Sequence, residues 1–177
     1  AVYGVCMNGT VSRQTYLDDQ IAYENGSTAG FVAYECVTYR DMLYGAVLSS
    51  GAECCLTLAS YISGSEWEFV ELMNSKAKEL GMSDTSFTNV CGFQNYEHYS
   101  TASDISLLLR YAFDTLGLRR VELTVFAENS RARLCYLKAG FIEEGVARQK
   151  TWKNGKFHDV VSMAVLRDEW AKREEQA

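Results

Sequence analysis

Proline is absent from this 177-residue chain, although about nine would be usual at this length. Apolar runs are short, and none approaches the roughly 18 residues needed to cross a bilayer, so no membrane partner is expected. The first ten residues, AVYGVCMNGT, contain no basic stretch leading into a longer apolar run. We therefore expect that a secretory signal peptide is absent or was removed before this numbering starts.

Metal-binding patterns are also missing. The chain has two histidines and six cysteines, but no C-x-x-C pair and no Cys/His cluster with the spacing of a zinc site, so we expect no metal. Cys54 and Cys55 are adjacent in a helical pattern and would point about 100° apart, as small buried apolar residues rather than disulfide partners. Free cysteines and the lack of a signal peptide predict a cytoplasmic protein.

Positive charge is scarce in the first two thirds of the chain. The net charge is −6, which argues against a nucleic-acid partner. Residues 1–113 hold 5 Lys/Arg and 13 Asp/Glu, whereas residues 114–177 hold 12 and 10. The hydrophobic fraction of 47% is enough to form a packed core.

Apolar residues follow a helical period from Thr38 to about Gly117, whereas residues 1–35 show no clear period and VYGVCM at 2–7 could be a short strand before an NGT turn. The spacing predicts four helices, which begin after Thr38, at Ala52, after Ser65 and after Thr101. The first would turn Met42, Leu43, Ala46 and Val47 inward. Ser65 with Glu68 forms a capping box, and Thr101 with Asp104 repeats the pattern. The N-terminal part is therefore predicted to be all-helical.

The period changes to two after Gly117, where Val121, Leu123 and Val125 alternate with polar residues as in a strand. A short helix then begins at residue 128 or 129 and ends at Gly140, and two extended segments follow. The sequence KNGK, residues 153–156, predicts a tight hairpin turn, and the charged tail 167–177 is expected to fray. The predicted fold class is α+β, with a β-α-β-β region in the C-terminal part.

Four stretches in order carry a first resemblance: GSTAG at 26–30, VTYRDMLYGAVLSSGAE at 37–53, FVELMNSKAKELGMSDTSFTN at 69–89 and HYSTASDISLLLRYAF at 98–113. Residues 16–113 resemble the helical lobe of the serine D-alanyl-D-alanine carboxypeptidases, the low-molecular-mass penicillin-binding proteins. The resemblance implies peptide hydrolysis through three motifs, S-x-x-K, S-x-N and K-T-G.

Those motifs are incomplete here. The S-x-N position reads Ser50-Gly51-Ala52, so the serine remains as a candidate catalytic residue and the asparagine is lost. An S-x-x-K motif is expected before residue 16 and is not found there. The string Ser75 to Lys78 lies in the wrong helix, and the string Lys150-Thr151-Trp152 lacks the glycine of K-T-G, so both are interpreted as coincidences.

A second resemblance rests on the spacing of Asn129, Ala132, Tyr136, Gly140 and Phe141, an N-x-x-A-x-x-x-Y-x-x-x-G-F pattern. Residues 110–170 resemble the C-terminal half of a GNAT-family N-acetyltransferase. The resemblance implies that the Asn129 and Ala132 face lines an acetyl-CoA channel and that Tyr136 acts as general acid. The residues alone also allow a simpler interpretation, in which Asn129 is an N-cap and Tyr136 is core.

The phosphate-binding part of that family is not found. The GNAT glycine-rich loop should precede the helix at 107–113, where this chain reads NYEHYSTASD. That stretch has no glycine, and Glu97 and Asp104 would repel a pyrophosphate. No cofactor is therefore expected, except acetyl-CoA if the GNAT half is functional.

The two resemblances meet in one helix. Leu108, Leu109, Ala112 and Leu116 keep helical spacing across residues 110–113, which predicts a continuous helix through the crossover. We interpret the chain as a chimera with a carboxypeptidase-like region at 1–113 and a GNAT-like half at 114–177.

Three functional hypotheses follow. The chain could be a serine carboxypeptidase, a weak or partner-completed acetyltransferase, or a folded module without catalysis. The sequence favours remnants of both enzymes without an intact active site of either. Because half of the GNAT sheet is missing, strand 121–127 would have an unpaired edge. Either residues 1–12 add a strand there, or the chain forms a homodimer through that edge.

Overall fold

The computed structural model describes residues 4–6, 10–12, 26–31, 36–153 and 155–174. The chain divides into two compact units. The first comprises Ala1–Lys76 and Ser86–Tyr99, and the second comprises Ala77–Thr85 and Ser100–Ala177. Helices and antiparallel strands together give the predicted α+β class, which is confirmed. The boundary placed between residues 113 and 114 describes the origin of the sequence and stays a prediction.

Three short strands in the first unit show that the all-helical prediction for the N-terminal part was wrong. Strands β1 (Gly4–Cys6), β2 (Thr10–Ser12) and β3 (Val37–Thr38) form an antiparallel sheet in the order β1-β2-β3. The sequence indicates a possible strand only at VYGVCM, which contains β1, because strands of two or three residues are too short to show an alternating pattern.

Helices α1 (Tyr39–Leu48), α2 (Ala52–Ser63) and α3 (Glu66–Glu79) begin where the capping residues predict. The Thr38 hydroxyl accepts a hydrogen bond from the Asp41 N–H at 3.2 Å, and the Asp41 carboxylate accepts one from the Thr38 N–H at 3.0 Å. The Ser65 hydroxyl accepts a bond from the Glu68 N–H at 3.1 Å. Local capping chemistry therefore fixes the start of two helices.

The inward face of α1 is narrower than the sequence suggests. Met42 is buried beside Val37 and Cys54, whereas Leu43 is 55% exposed and Val47 is 76% exposed. The prediction for these last two residues was wrong. Their apolar side chains lie on the solvent side of a helix that packs through Met42 and Gly45.

The second unit is built from six elements, which are α4 (Ala102–Arg110), β4 (Arg120–Phe126), α5 (Ser130–Ala139), β5 (Ile142–Lys153), β6 (Lys156–Leu166) and α6 (Arg167–Glu174). The strands form an antiparallel sheet in the order β4-β6-β5. The turn between Lys153 and Lys156 closes a hairpin, as the Asn-Gly sequence predicts, and Gly155 adopts φ +76°.

A π-helical turn, Tyr111–Thr115, continues α4 without a break. The continuous helix predicted across the crossover is therefore confirmed, but its geometry is not purely α. The Leu116 N–H donates to the Tyr111 carbonyl at 3.1 Å, which is the i to i+5 bond of a π turn. This wider turn buries Ala112 and Phe113 and leaves Leu116 55% exposed, so the prediction that Leu116 continues the apolar face was wrong.

The core of the second unit gathers residues from all of its layers, including Leu109, Phe113, Phe141, Met163 and Trp170. Trp170 belongs to α6, and its ring centroid lies 6.0 Å from that of Phe113. The expectation that residues 167–177 fray was therefore wrong over Arg167–Glu174, because one buried aromatic residue anchors this otherwise charged helix.

β4 is paired along one edge within the described residues. β4 pairs with β6 along its whole length, from Arg120 opposite Leu166 to Phe126 opposite Val160. Among the described residues no strand pairs with its other edge, and β1 and β2 belong to the other sheet. The proposal that residues 1–12 extend this sheet is not what the structure shows for 4–6 and 10–12.

Candidate functional site

A cavity of about 400 Å³ opens on the second unit between the sheet and α5. It is lined by Thr124, Val125 and Phe126 of β4, Asn129, Ala132 and Tyr136 of the following turn and helix, Lys150 and Thr151 of β5, and Val160 of β6. Its volume lies within the roughly 300–1,000 Å³ typical of small-molecule sites. Asn129 and Ala132, which the resemblance assigns to the acetyl-CoA channel, therefore line one cavity with Tyr136, which it assigns as the general acid.

The Asn129 side chain can cap a helix and contact a ligand at the same time. Its side-chain oxygen accepts a hydrogen bond from the Ala132 N–H at 3.1 Å, so it is the N-cap of α5, as the simpler interpretation held. In the part of the chain that the structure describes, no group accepts from its amide nitrogen. The NH₂ group can therefore donate to a ligand in the cavity while the oxygen holds the helix.

Tyr136 lies seven residues further along and two turns down the same helix. Its ring packs edge-on against Phe141, with 5.6 Å between the ring centroids. Burial, with a smaller contribution from neighbouring Cys135, raises the pKa of the Tyr136 phenol above its usual value. The phenol therefore keeps its proton at neutral pH, which is the state that a proton donor needs.

The loop that carries Asn129 is fixed by a pair of side chains. The His158 imidazole on β6 is hydrogen-bonded to the Glu128 carboxylate and, through its other nitrogen, to the Lys153 carbonyl at 3.0 Å. Its ring also stacks against Phe126, with 5.0 Å between the centroids. A hydrogen bond to its own backbone N–H and the contact with His158 lower the pKa of Glu128. This pair holds the β4–α5 turn against the sheet.

Lys150 and Thr151 were missed by the sequence reasoning, which treated them as a false K-T-G motif. The pairing of β5 with β6 jumps from Ala147 opposite Val160 to Thr151 opposite His158, so residues 148–150 form a bulge opposite Asp159. β-bulges re-aim side chains next to sites. The sequence signal was a strand pattern that loses its alternation at residues 148–150.

Ser50 lies in the first unit at the corner between α1 and α2, where it is exposed. It has φ +50°, a left-handed conformation that is uncommon for a residue with a side chain. Its neighbour Ser49 lines a shallow cavity of about 270 Å³ with Asp41, Tyr44 and Leu48. The structure thus places Ser50 at a strained corner of the first unit, and its catalytic role stays a prediction.

The position that follows the lost asparagine is occupied by a fully buried acid. Glu53 has 0% exposure, and one of its carboxylate oxygens accepts from the Ala29 N–H at 2.6 Å and the Gly30 N–H at 3.0 Å. The other oxygen has no hydrogen-bond partner in the described chain, and the same is true of the nearby Thr57 hydroxyl. Glu53 therefore ties the GSTAG segment to α2.

The string Ser75 to Lys78, which is interpreted from the sequence as a coincidental S-x-x-K, lies on a helix surface. Ser75 and Lys78 are both exposed on α3, and a helix surface gives a serine no substrate cleft.

Asp104 has a different role from the one predicted. It is buried, and its carboxylate accepts from the Asp84 N–H at 2.9 Å and the Thr85 hydroxyl at 2.7 Å. Its charge is therefore engaged in holding residues 84 and 85 to α4.

The described residues contain no group of three or more His, Cys, Asp or Glu side chains arranged to hold a metal ion. None of their helices is both long and apolar enough to pass through a bilayer.

Comparison with known proteins finds the carboxypeptidase relationship over most of the chain. The family model described as D-alanyl-D-alanine carboxypeptidase matches residues 7–136. The D-alanyl-D-alanine carboxypeptidase DacF of Bacillus subtilis is 38% identical over 100 residues, which are 56% of this chain and 26% of that protein. The chain thus spans about a quarter of the length of this relative.

Acetyltransferases supply the other relatives. YdaF of Bacillus subtilis, which is described as a ribosomal N-acetyltransferase, is 40% identical over 63 residues, covering 36% of this chain and 34% of that protein. The spermidine/spermine N-acetyltransferase SpeG of Vibrio cholerae is 34% identical over 40% of this chain and 42% of that chain, with a TM-score of 0.38. The chimeric interpretation, with a carboxypeptidase-like part followed by an acetyltransferase-like part, is confirmed.

Proposed function

The chain belongs to the D-alanyl-D-alanine carboxypeptidase family, and we propose that it no longer hydrolyses peptides but binds an acetyl-CoA-type ligand in its second unit. One observation supports the binding part above all others. Asn129 and Ala132, which the GNAT resemblance assigns to the acetyl-CoA channel, and Tyr136, which it assigns as general acid, line the same cavity of about 400 Å³.

The loss of hydrolysis is argued from the first unit. Acylation of a serine requires a neighbouring base and groups that hold the substrate. At the S-x-N position Ser50 is exposed on a left-handed backbone, and Ala52 replaces the asparagine amide. The K-T-G-like string lacks its glycine and lies in the second unit. We therefore expect no acylation of Ser50 by a β-lactam.

The cavity chemistry fits an acetyl-pantetheine arm. Val125, Ala132 and Val160 offer an apolar wall, and the Asn129 amide and the Thr124 and Thr151 hydroxyls offer hydrogen bonds. Bound acetyl-CoA would supply an activated acetyl group as a thioester. The Asn129 NH₂ group would orient the ligand, and the protonated Tyr136 phenol would face it.

Isothermal titration calorimetry with acetyl-CoA tests binding. The matched variants are Asn129→Asp, which keeps an N-cap oxygen but replaces the amide donor by an acceptor, and Asn74→Asp in the first unit. We expect micromolar to millimolar binding that Asn129→Asp weakens at least tenfold and Asn74→Asp leaves unchanged. Absence of heat with wild-type protein at several millimolar ligand would refute the proposal.

Covalent labelling by a fluorescent penicillin tests the proposed loss of peptide hydrolysis. The proposal predicts no covalent labelling of the chain after long incubation at high concentration. Labelling that disappears in Ser50→Ala but persists in Ser49→Ala would show that the carboxypeptidase site still acylates, and would overturn this part of the proposal.

A second candidate function is acetyl transfer completed by a partner that provides the remaining half of the sheet. Tyr136 favours it, because its phenol, to which the resemblance assigns the role of general acid, lines the cavity together with Asn129. Release of free thiol from acetyl-CoA, followed with a chromogenic disulfide, would measure transfer. Tyr136→Phe should then abolish transfer and keep binding, and equal transfer by both proteins would exclude this role.

A further inference from the structure

The β5 bulge at residues 148–150 places a single positive charge at the proposed ligand cavity. Lys150 is the only charged residue among those that line it. No ion pair within the described ranges involves its ammonium group. Lys150 is exposed, and a cation that lines a cavity without a protein counter-ion can bind an anion there.

The bulge itself is held in place by a specific contact. Gln149 adopts φ +51°, which costs free energy for a residue with a side chain. Its N–H donates to the Asp159 carboxylate on β6 at 2.7 Å. The contact engages the nearest acid on the opposing strand, so Asp159 fixes the bulge backbone on the N-terminal side of Lys150.

The neighbouring acid is engaged as well. The Glu128 carboxylate, next to Asn129, is hydrogen-bonded to the His158 imidazole and lies 4.0 Å from the Lys156 ammonium. Within the described chain neither Glu128 nor Asp159 forms an ion pair with Lys150. The same surface carries hydrogen-bond donors from Asn129 and Thr151.

We propose that Lys150, aimed by this bulge, binds a phosphate group of the cavity's ligand and replaces the glycine-rich loop that the stretch NYEHYSTASD cannot provide. The inference rests on the proposed binding of an acetyl-CoA-type ligand and adds the residue that recognises its charge. The ligand class is a phosphorylated pantetheine, in which the phosphate contacts Lys150 and the thiol arm enters the cavity beside Asn129.

Truncated ligands separate the binding of the pantetheine arm from the recognition of phosphate by Lys150. Calorimetry would compare coenzyme A, 4′-phosphopantetheine and pantetheine, which has the same arm without phosphate, against wild type, Lys150→Gln and Lys138→Gln. Lys138 is an exposed lysine of α5 outside the cavity lining, so its variant controls for net charge. We expect Lys150→Gln to weaken coenzyme A and 4′-phosphopantetheine about tenfold, to leave pantetheine unchanged, and to reduce the salt dependence of binding.

The outcomes are distinct. If none of the three ligands binds wild-type protein, the proposed function fails and this inference fails with it. If all three bind equally, or if Lys150→Gln weakens pantetheine as much as coenzyme A, the cavity binds but Lys150 does not recognise phosphate. Competition by inorganic phosphate against coenzyme A but not against pantetheine would support the assignment, and equal competition against both would contradict it.

Asp159→Ala tests whether the bulge positions Lys150. If charge alone mattered, removing an acid near the cavity would strengthen the binding of coenzyme A. If the Asp159 contact positions the bulge, the same variant weakens coenzyme A severalfold, and the phosphate-dependent gap between coenzyme A and pantetheine narrows. Stronger binding by Asp159→Ala would overturn the positioning role.

Discussion

Glu53→Ala should destabilise the first unit by about 2–4 kcal/mol. The substitution removes the acceptor of two backbone N–H groups, those of Ala29 and Gly30. Ala29 is half-buried, so its unpaired N–H costs about 1–3 kcal/mol. Gly30 is exposed, so water replaces most of its bond. Removing a side chain with 0% exposure adds a cavity cost of about 1 kcal/mol or more.

Urea unfolding, followed by circular dichroism, measures the free energy of unfolding. The two units can unfold in separate transitions, in which case each transition is analysed by itself. Hydrogen exchange adds the local readout, since the amides of Ala29 and Gly30 should lose protection in the variant. Glu53→Gln keeps an acceptor oxygen and should cost less than about 1 kcal/mol, and the exposed Glu71→Ala is the control. A loss below about 0.5 kcal/mol for Glu53→Ala, with both amides still protected, would refute the reasoning.

Four further outcomes are expected. Thr57→Val should be neutral or stabilise by up to about 1 kcal/mol, because its buried hydroxyl has no partner in the described chain; a clear loss in urea unfolding would contradict this. Phe113→Ala should cost about 3–5 kcal/mol in the second unit, as expected for a fully buried aromatic residue, with Leu116→Ala as the exposed control. Burial, with smaller contributions from Cys55, Glu66 and Glu53, raises the pKa of the Cys91 thiol to about 12. Iodoacetamide at pH 8 should therefore modify Cys91 far more slowly in the folded protein than in urea. Equal rates of modification, measured by mass spectrometry, would exclude that shift. No strand of the described residues covers the second edge of β4, and an uncovered edge predicts a homodimer. Sedimentation equilibrium would detect this dimer, and Val121→Lys should weaken it; a monomer at high concentration would contradict the prediction.

Signals within a few residues were sufficient for much of the fold. Thr38, Ser65, Thr101 and Asn129 each cap the helix that the sequence assigns to them, because capping depends on groups three residues apart. The Asn-Gly hairpin follows from the same local chemistry.

What could not be predicted depends on partners distant in sequence. Trp170 anchors α6 only because Phe113 lies beside it, and the strands at 4–6 and 10–12 exist only as partners of one another and of β3. In the candidate site, Asn129 and Tyr136 share a helix and could be grouped from spacing. Lys150 reaches the same cavity through a bulge whose geometry depends on Asp159 of the opposing strand.

The π turn at Tyr111–Thr115 coincides with the crossover that the sequence predicts at residues 110–113. One α-helical residue rotates the chain by about 100°, so a fusion that is off by a single position would swing every later side chain away from its packing surface. A turn with one extra residue absorbs that error locally. Recombination inside a helix can therefore succeed without matched registers, provided that a π turn at the junction brings Phe113 back into the core before the strand begins.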